Sequence, residues 1–409
     1  MRVSPYDDIK SVPRAPGVRL RGTTAMLAAA AVLTMVFTVV NLPGPLYVIY
    51  RQRFHFSELM LTVAYAVYML GSLIAMVLFG RISDQIGRRP VLYLSIVLSA
   101  VAAIVFIFTF NTATLLAARI VSGLGAGLTA TACTAWIAEL PPKEERPKAA
   151  LFSTGANLLG LALGPLLAGL IAQYAILPLR LPYIIYLAGL IVPALAVWTL
   201  HETVREPKPL DEVSLWPRIG VPNEILAPFI APAVTAFAAF ALMGFYSALI
   251  PTLLKESLHI GNHAVGGAVT FFMFVCGVAA IASSGVLSSR AAMFTGLGLL
   301  IPAVALLVLA QQFGSMPLLL AASAIGGASG ALGYRGSLAV INEIAPQDRR
   351  AEIVATYLIC CYIGVSVPVI GIGVITGPLG AKIADMIFAG ALCVLAVIAI
   401  VTGWKYAED

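Results

Sequence analysis

Residues able to do chemistry are scarce in this chain and crowd into a few places. The densest is Gly80-Arg81-Ile82-Ser83-Asp84-Gln85-Ile86-Gly87-Arg88-Arg89-Pro90, where three arginines and an aspartate share a two-glycine turn between long apolar runs. The glycines permit a tight reversal with φ > 0. The arginines suit an anchor at a charged surface, and Asp84 is an anion acceptor at a helix end. Arg119 is different: it stands inside an apolar run, in Arg119-Ile-Val-Ser-Gly123-Leu-Gly125-Ala-Gly127. An arginine within hydrocarbon costs about 2.5–3.5 kcal/mol even on the most lenient scale, so it must face protein or a wet cavity. It either handles a proton or a substrate charge, or bonds neighbouring carbonyls as a structural strut.

The acids lie at the ends of apolar runs. Glu139 and Glu343 read as salt-bridge latches to Arg88, Arg89, Arg146 or Arg350. Glu58 and Asp385, near outer helix ends, are either solvated or the acids that titrate in a coupled cycle, Glu58 being a candidate coupling or cavity residue. Asn41, Tyr65, Tyr68, Asn157 and Tyr246 are polar groups within apolar runs and are candidates for lining a cavity. His259 and His263 have helical metal-pair spacing, but Gly261 and Asn262 between them indicate a turn, and no glutamate completes H-E-x-x-H. G-x-x-x-x-G-K-[ST] and G-x-S-x-G do not occur, which argues against an ATP-driven pump and a serine hydrolase. No catalytic residue, cofactor or metal is expected.

These groups need elements to hold them, and the composition says which kind. Of 409 residues, 60% are hydrophobic and 11% charged, with a mean hydropathy of +0.97. A soluble chain carries roughly 25% charged residues, so soluble cores cannot hide this much apolar surface. The net charge of +6 is too small and scattered for a nucleic-acid binder. The five cysteines all sit in apolar runs and read as free thiols. Residues 1–22 form a polar, basic tail with no cleavable signal expected.

A spanning helix needs roughly 20 mostly apolar residues. Twelve such runs are present, at about 23–50, 57–80, 90–110, 113–139, 149–175 and 182–200, then 226–254, 262–287, 291–311, 315–342, 351–376 and 383–404. The polar, proline-broken stretch 201–225 separates two sets of six, predicting bundles at 23–200 and 226–404 and a short tail at 405–409. With the N-terminus inside, eighteen Lys and Arg fall on the inner side and five on the outer, which places both termini and the linker in the cytoplasm. An integral, multi-pass protein of the plasma (bacterial inner) membrane follows, embedded in lipid and expected to be a monomer.

The halves repeat. Glu139-Leu-Pro-Pro142 and Glu343-Ile-Ala-Pro346 end the fourth and tenth runs at an offset of 346 − 142 = 204, which carries Gly123 onto Gly327, Gly160 onto Gly364 and Arg119 onto Ser323. One further residue of shift places Gly80 on Gly285, in the decayed turn Gly285-Val-Leu-Ser-Ser-Arg290.

The turn at 80–90 resembles the signature between the second and third helices of the major facilitator superfamily, G-x-x-x-D-x-x-G-R-[RK], through Gly80, Asp84, Gly87, Arg88 and Arg89. The resemblance implies an all-α fold of twelve transmembrane helices in two pseudo-symmetric bundles, with a cavity lined mainly by helices 1, 4, 7 and 10. It also implies that Asp84 latches onto the start of the eleventh helix, near Ala351. Arg119 matches the R-x-x-x-G pattern of the fourth helix, tied to proton transfer in proton-coupled members. Gly160-Leu-Ala-Leu-Gly164-Pro165-Leu-Leu-Ala168-Gly169 resembles the antiporter signature G-x-x-x-G-P-x-x-G-G, with Ala168 replacing a glycine. The implied activity is proton-coupled efflux of a small amphipathic or drug-like compound by alternating access. Because no acid lies near a helix midpoint, an uncoupled facilitator or a porter for an anionic metabolite is the second reading, and a transport-like sensor a third. Replacing Arg119 by alanine is expected to abolish coupled transport with the fold intact.

Overall fold

A computed structural model describes residues 20, 22–79, 82–141, 146–204, 206–209, 219–347 and 349–405. Gly80 and Arg81, most of the N-terminal tail, residues 210–218 of the linker and 406–409 lie outside the described residues. The chain is helical throughout the rest: α1 (Gly22–Asn41), α2 (Tyr47–Phe54), α3 (Glu58–Phe79), α4 (Ile82–Ile86), α5 (Arg88–Ile107), α6 (Thr112–Glu139), α7 (Arg146–Tyr174), α8 (Leu181–Gly189), α9 (Ile191–Thr199), α10 (Asn223–Ser257), α11 (His263–Ser283), α12 (Ser289–Phe313), α13 (Met316–Ile344), α14 (Arg350–Leu379) and α15 (Ala381–Lys405). Twelve spans among the described residues are long and apolar enough to cross a membrane. The protein is an all-helical, integral, multi-pass membrane protein.

Local chemistry sets the ends of these helices. Asn111 accepts from the Thr114 amide and Thr114 answers with its hydroxyl, a reciprocal cap on α6. The side chains of Asn262 and Ser288 cap α11 and α12 in the same sense. Asn262 thus holds the turn between His259 and His263. Gly314, at φ +59°, closes α12 in the left-handed region. Two runs are broken where the sequence reading made them continuous. The first helix ends at Asn41, because Pro43 and Pro45 cannot continue the ladder, and a turn leads into the separate helix α2. The sixth span divides at Leu190 into α8 and α9, three residues before Pro193.

The repeat is visible in the packing. The pairs α3–α6, α5–α6 and α1–α7 of the first half recur as α11–α13, α12–α13 and α10–α14 of the second. Glycines make the closest approaches: a Cβ on Gly123 would lie 2.0 Å from the Tyr68 carbonyl oxygen, and one on Gly327 would lie 1.9 Å from that of Met273. Two seams join the halves, α7 against α11 and α14 against α3. Leu94, Val97 and Val101 of α5, Trp198 of α9, and Val394, Val397 and Val401 of α15 are exposed. Outward apolar faces of this kind suit a lipid solvent. We call the surface bearing the 82–90 turn and residues 201–204 the linker face, and the opposite surface the far face.

Candidate functional site: a central cavity and its two ends

Between the seams lies a cavity of about 1260 Å³, larger than the roughly 300–1,000 Å³ of ordinary ligand pockets. Its walls are aromatic, thioether and aliphatic: Phe37, Tyr65, Tyr68, Met69 and Met76 from the first half, and Phe240, Met243, Phe274, Tyr334 and Tyr362 from the second. Asn41 and Asn157 also line it, together with Ser72, Ser247 and Thr134. Its charged groups, Asp84, Arg88, Arg349 and Glu352, all stand at the linker-face mouth. The sequence reading named helices 1, 4, 7 and 10 as the main lining. The structure adds the second, fifth and eleventh spans (α3, α7 and α14), because the two seams bring their inner faces to the same axis. Tyr246 is not part of the wall. It is 1% exposed and bonded by the Ser323 hydroxyl at 3.3 Å, inside the second half.

At the linker face the turn is clamped to its own half. Asp84 pairs with Arg88 one helical turn on. Buried Arg88 also donates to Glu139 at 2.6 Å and to the Ser83 hydroxyl at 2.7 Å. The latch reading of Glu139 to Arg88 therefore has its geometry. Arg89 instead donates to the Val197 and Trp198 carbonyls at the end of α9. Among the described residues Asp84 makes no ion pair with the start of α14. The cavity opens between α4 and α14, so the aspartate takes the nearest cation, while Glu352 on α14 pairs with Arg349 at 2.9 Å. Glu343 accepts from Ser289 at 2.6 Å, and the decayed second turn is held by Arg335, which donates to the carbonyl and hydroxyl of Ser284.

Sequence reasoning missed Glu202, which it placed among the linker charges. Its carboxylate accepts from the backbone amides of both Arg88 and Arg89 at 2.9 Å and so caps α5 from outside that helix. Gly87 adopts φ +110° at this junction, and a Cβ there would lie 2.7 Å from Glu202 Oε2. Gly87→Ala should therefore destabilise the protein by about 1–3 kcal/mol through backbone strain and loss of the cap. An unchanged thermal unfolding midpoint would contradict this clamp.

The far end is closed. Arg51 pairs with Glu58 on α3 and lies 3.8 Å from Glu256 on α10, so it joins the two halves. The Gln173 side chain of α7 accepts from the His263 amide at 3.0 Å, and the Asn41 amide donates to Ser247 at 3.0 Å. The small-residue face of α7 sits at the same end. A Cβ on Gly160 or Gly164 would lie 2.5 or 2.3 Å from the Thr34 or Thr38 carbonyl of α1. One on Gly169 would lie 2.6 Å from the His263 carbonyl, and one on Gly267 of α11 would lie 2.2 Å from that of Pro165. The antiporter-like stretch thus packs backbone to backbone on α1 and, across the seam, on α11.

Arg119 is 0% exposed and does not line the cavity. It donates to the carbonyls of Val40 at 2.6 Å, Ala64 at 3.1 Å and Tyr65 at 2.9 Å. Its guanidinium lies 4.5 Å from the Tyr68 ring centre and also faces the Tyr47 and Tyr65 rings. Burial pushes the Tyr47 hydroxyl up to about 12, so it stays a neutral donor to the Ala64 carbonyl. This geometry matches the strut reading: the arginine stands behind Tyr65 and Tyr68 and fixes the ceiling they form. Asp385, solvated in one of its two sequence readings, is 7% exposed because α12 covers it, and Gln311 donates to it at 2.7 Å.

A twelve-span helical protein with a drug-sized, apolar-walled central cavity open at one face has the build of a membrane carrier for small molecules. The chain belongs to the Major Facilitator Superfamily, whose family model matches residues 27–245 and 232–408. The chain is 26% identical over 223 residues to multidrug resistance protein MdtL of Salmonella typhi, covering 52% of this chain and 54% of that protein. Over 218 residues it is 26% identical to multidrug resistance protein 1 of Bacillus subtilis, covering 53% and 54%. With quinolone resistance protein NorA of Staphylococcus aureus it shares 22% over 225 residues, covering 52% and 55%. The chain thus spans about half the length of the curated relatives it matches. Two solved structures share its fold at 15% identity. One is the human organic anion transporter MFSD10, with a TM-score of 0.68 over 92% of this chain and 98% of that one. The other is a bacterial homologue of the human lysosomal transporter Spinster, inward-facing and unoccupied, with a TM-score of 0.70 over 94% and 98%.

Proposed function

We propose that this transporter exports small amphipathic, drug-like compounds across the plasma membrane by proton-coupled alternating access, with the linker face and both termini cytoplasmic. The observation that carries this reading is the asymmetry of the cavity: a large aromatic and thioether-rich chamber open to the linker face and closed at the far face. Such a wall binds by apolar burial and ring contacts, which tolerate many scaffolds. The resistance proteins among the relatives support efflux as the direction.

In this reading the bundles 23–200 and 226–404 rock about the two seams. When the linker face closes, Asp84 leaves Arg88 for the N-terminus of α14, where the helix dipole favours an anion. At the far end Arg51, Glu58 and Glu256 separate. Gly160, Gly164, Pro165 and Gly169 supply the close, bendable contact that lets α7 move on α1 and α11. For coupling we assign the proton to Asp385, a buried carboxylate bonded to a neutral amide, with no cation in ion-pair range among the described residues. Asp385→Asn should keep substrate binding and lose stimulation by a pH gradient; retained stimulation would place the proton elsewhere. An anion porter has less support, because Arg119, the fully buried cation among the described residues, spends its guanidinium on carbonyls.

The function is tested in intact bacteria. Cells overproducing the protein should accumulate less of one or more compounds from a panel of cationic, neutral and anionic aromatic dyes. Equal accumulation with and without the protein, across the panel, would contradict efflux.

A further inference from the structure

Resting on the reading of the cavity as the substrate site, one side chain at its closed end stands out. Asn41 is 2% exposed and lines the chamber, and its Oδ1 is buried without a hydrogen-bond partner. Among the described residues that line the cavity, no other side-chain oxygen or nitrogen is in this condition. The orientation of the amide is fixed by its neighbours. Its nitrogen lies 3.2 Å from the carbonyl of Leu161, which can only accept. It lies 3.0 Å from the Ser247 oxygen, whose own hydrogen goes to the Met243 carbonyl at 2.9 Å. Both amide hydrogens are therefore spent, and flipping the group would set two acceptors against each other. The oxygen is left with unused lone pairs among aromatic rings. A buried acceptor in that condition weakens the fold, and a donor brought to it relieves the penalty.

The surroundings also choose the kind of donor. The carbonyl of the preceding residue, Val40, accepts from the Arg119 guanidinium at 2.6 Å, so a positive charge sits within a few ångströms of the Asn41 backbone. In a low-dielectric setting that charge repels an ammonium strongly while leaving a neutral N–H or O–H unaffected. The carboxylates of the wall, Asp84 and Glu352, are at the opposite end, at the mouth. We propose that Asn41 Oδ1 is the hydrogen-bond anchor of the cavity, and that it selects aromatic substrates inserting a neutral N–H or O–H donor at the closed end. Any cationic portion of such a substrate remains toward Asp84 and Glu352. The anchor lies on the Asn41–Ser247 bond that joins α1 to α10, so a seated donor touches the contact closing the far end.

The test is a matched pair of neutral fluorescent probes, 2-aminoanthracene and its N,N-dimethyl derivative, which differ in the donor hydrogens. Dissociation constants are measured on the full-length protein in lipid nanodiscs, with Ala130→Trp, which fills the chamber, defining binding outside it. The readout is the ratio of the two constants compared between wild type and variant, a comparison in which the added methyl area cancels. That ratio should favour the amine in the wild type, fall by about tenfold in Asn41→Leu and in Asn41→Ala, and survive in Asn41→Asp, which retains an acceptor. A ratio unchanged by both Asn41→Leu and Asn41→Ala would overturn the anchor and leave the cavity standing as the binding site. Absence of any saturable binding sensitive to Ala130→Trp would instead remove the cavity reading, and the anchor with it.

Discussion

Arg119→Ala should abolish transport and also lower stability by about 3 kcal/mol, and Arg119→Lys should restore neither. The sequence alone led to a different expectation, loss of coupling with the fold intact. The geometry changes it. One planar guanidinium serves the Val40, Ala64 and Tyr65 carbonyls on two helices while stacking on Tyr68. Alanine removes three charge-assisted hydrogen bonds and opens a void behind the tyrosines that form the cavity ceiling. Lysine keeps the charge, but a single ammonium cannot reach three divergent acceptors and face a ring at once. Thermal unfolding and dye flux on the same preparations check the two halves of this expectation. If Arg119→Lys keeps both, charge alone is sufficient and the strut account is wrong.

A second large effect is expected at the seam between α7 and α11. Gly267 meets the Pro165 carbonyl so closely that a Cβ would lie 2.2 Å from it, a backbone contact that cannot yield locally. Gly267→Leu should wedge the far ends of the halves apart and shift the population toward a form open to the far face. Leu254, 1% exposed on α10 near that end, reports the shift. With the five native cysteines replaced, a cysteine at position 254 should react with a membrane-impermeant maleimide from the far face at least about tenfold faster in the Gly267→Leu background, which corresponds to a bias of roughly 1.4 kcal/mol. Transport should fall in parallel, because the closed far end becomes hard to form. Unchanged labelling with intact transport would mean that the halves do not part at this seam.

How far these features could be read beforehand follows from where their physics resides. The spans were legible because a helix surrounded by lipid must be apolar along its whole length. The break after Asn41 was missed although Pro43 and Pro45 were in plain view, because the apolar run continues past them. The seam glycines were visible as a pattern, although their partners, the carbonyls of Thr38, Pro165 and His263, carry no sequence identity. Arg119 was conspicuous for the same reason that its role was ambiguous, since carbonyl acceptors leave no trace in the sequence. Asp385 looked solvated by its position near a helix start; only the packing of α12 buries it against Gln311. Tyr334, Tyr362 and Phe240 are indistinguishable by type from lipid-facing aromatics, so the second half of the cavity wall stayed hidden. Glu202 was hidden by context, because a linker carboxylate has no periodicity to tie it to the start of a helix more than a hundred residues earlier.

The proposed function is transport of substrate through the cavity in exchange for protons. The most direct measurement is flux in proteoliposomes containing the purified protein, with an imposed pH gradient and a panel of cationic, neutral and anionic aromatic compounds. Saturable flux of at least one compound is expected, accelerated by the gradient and accompanied by proton movement when substrate is added. Flux indifferent to the gradient would contradict the coupling, and an absence of flux across the panel would contradict transport itself.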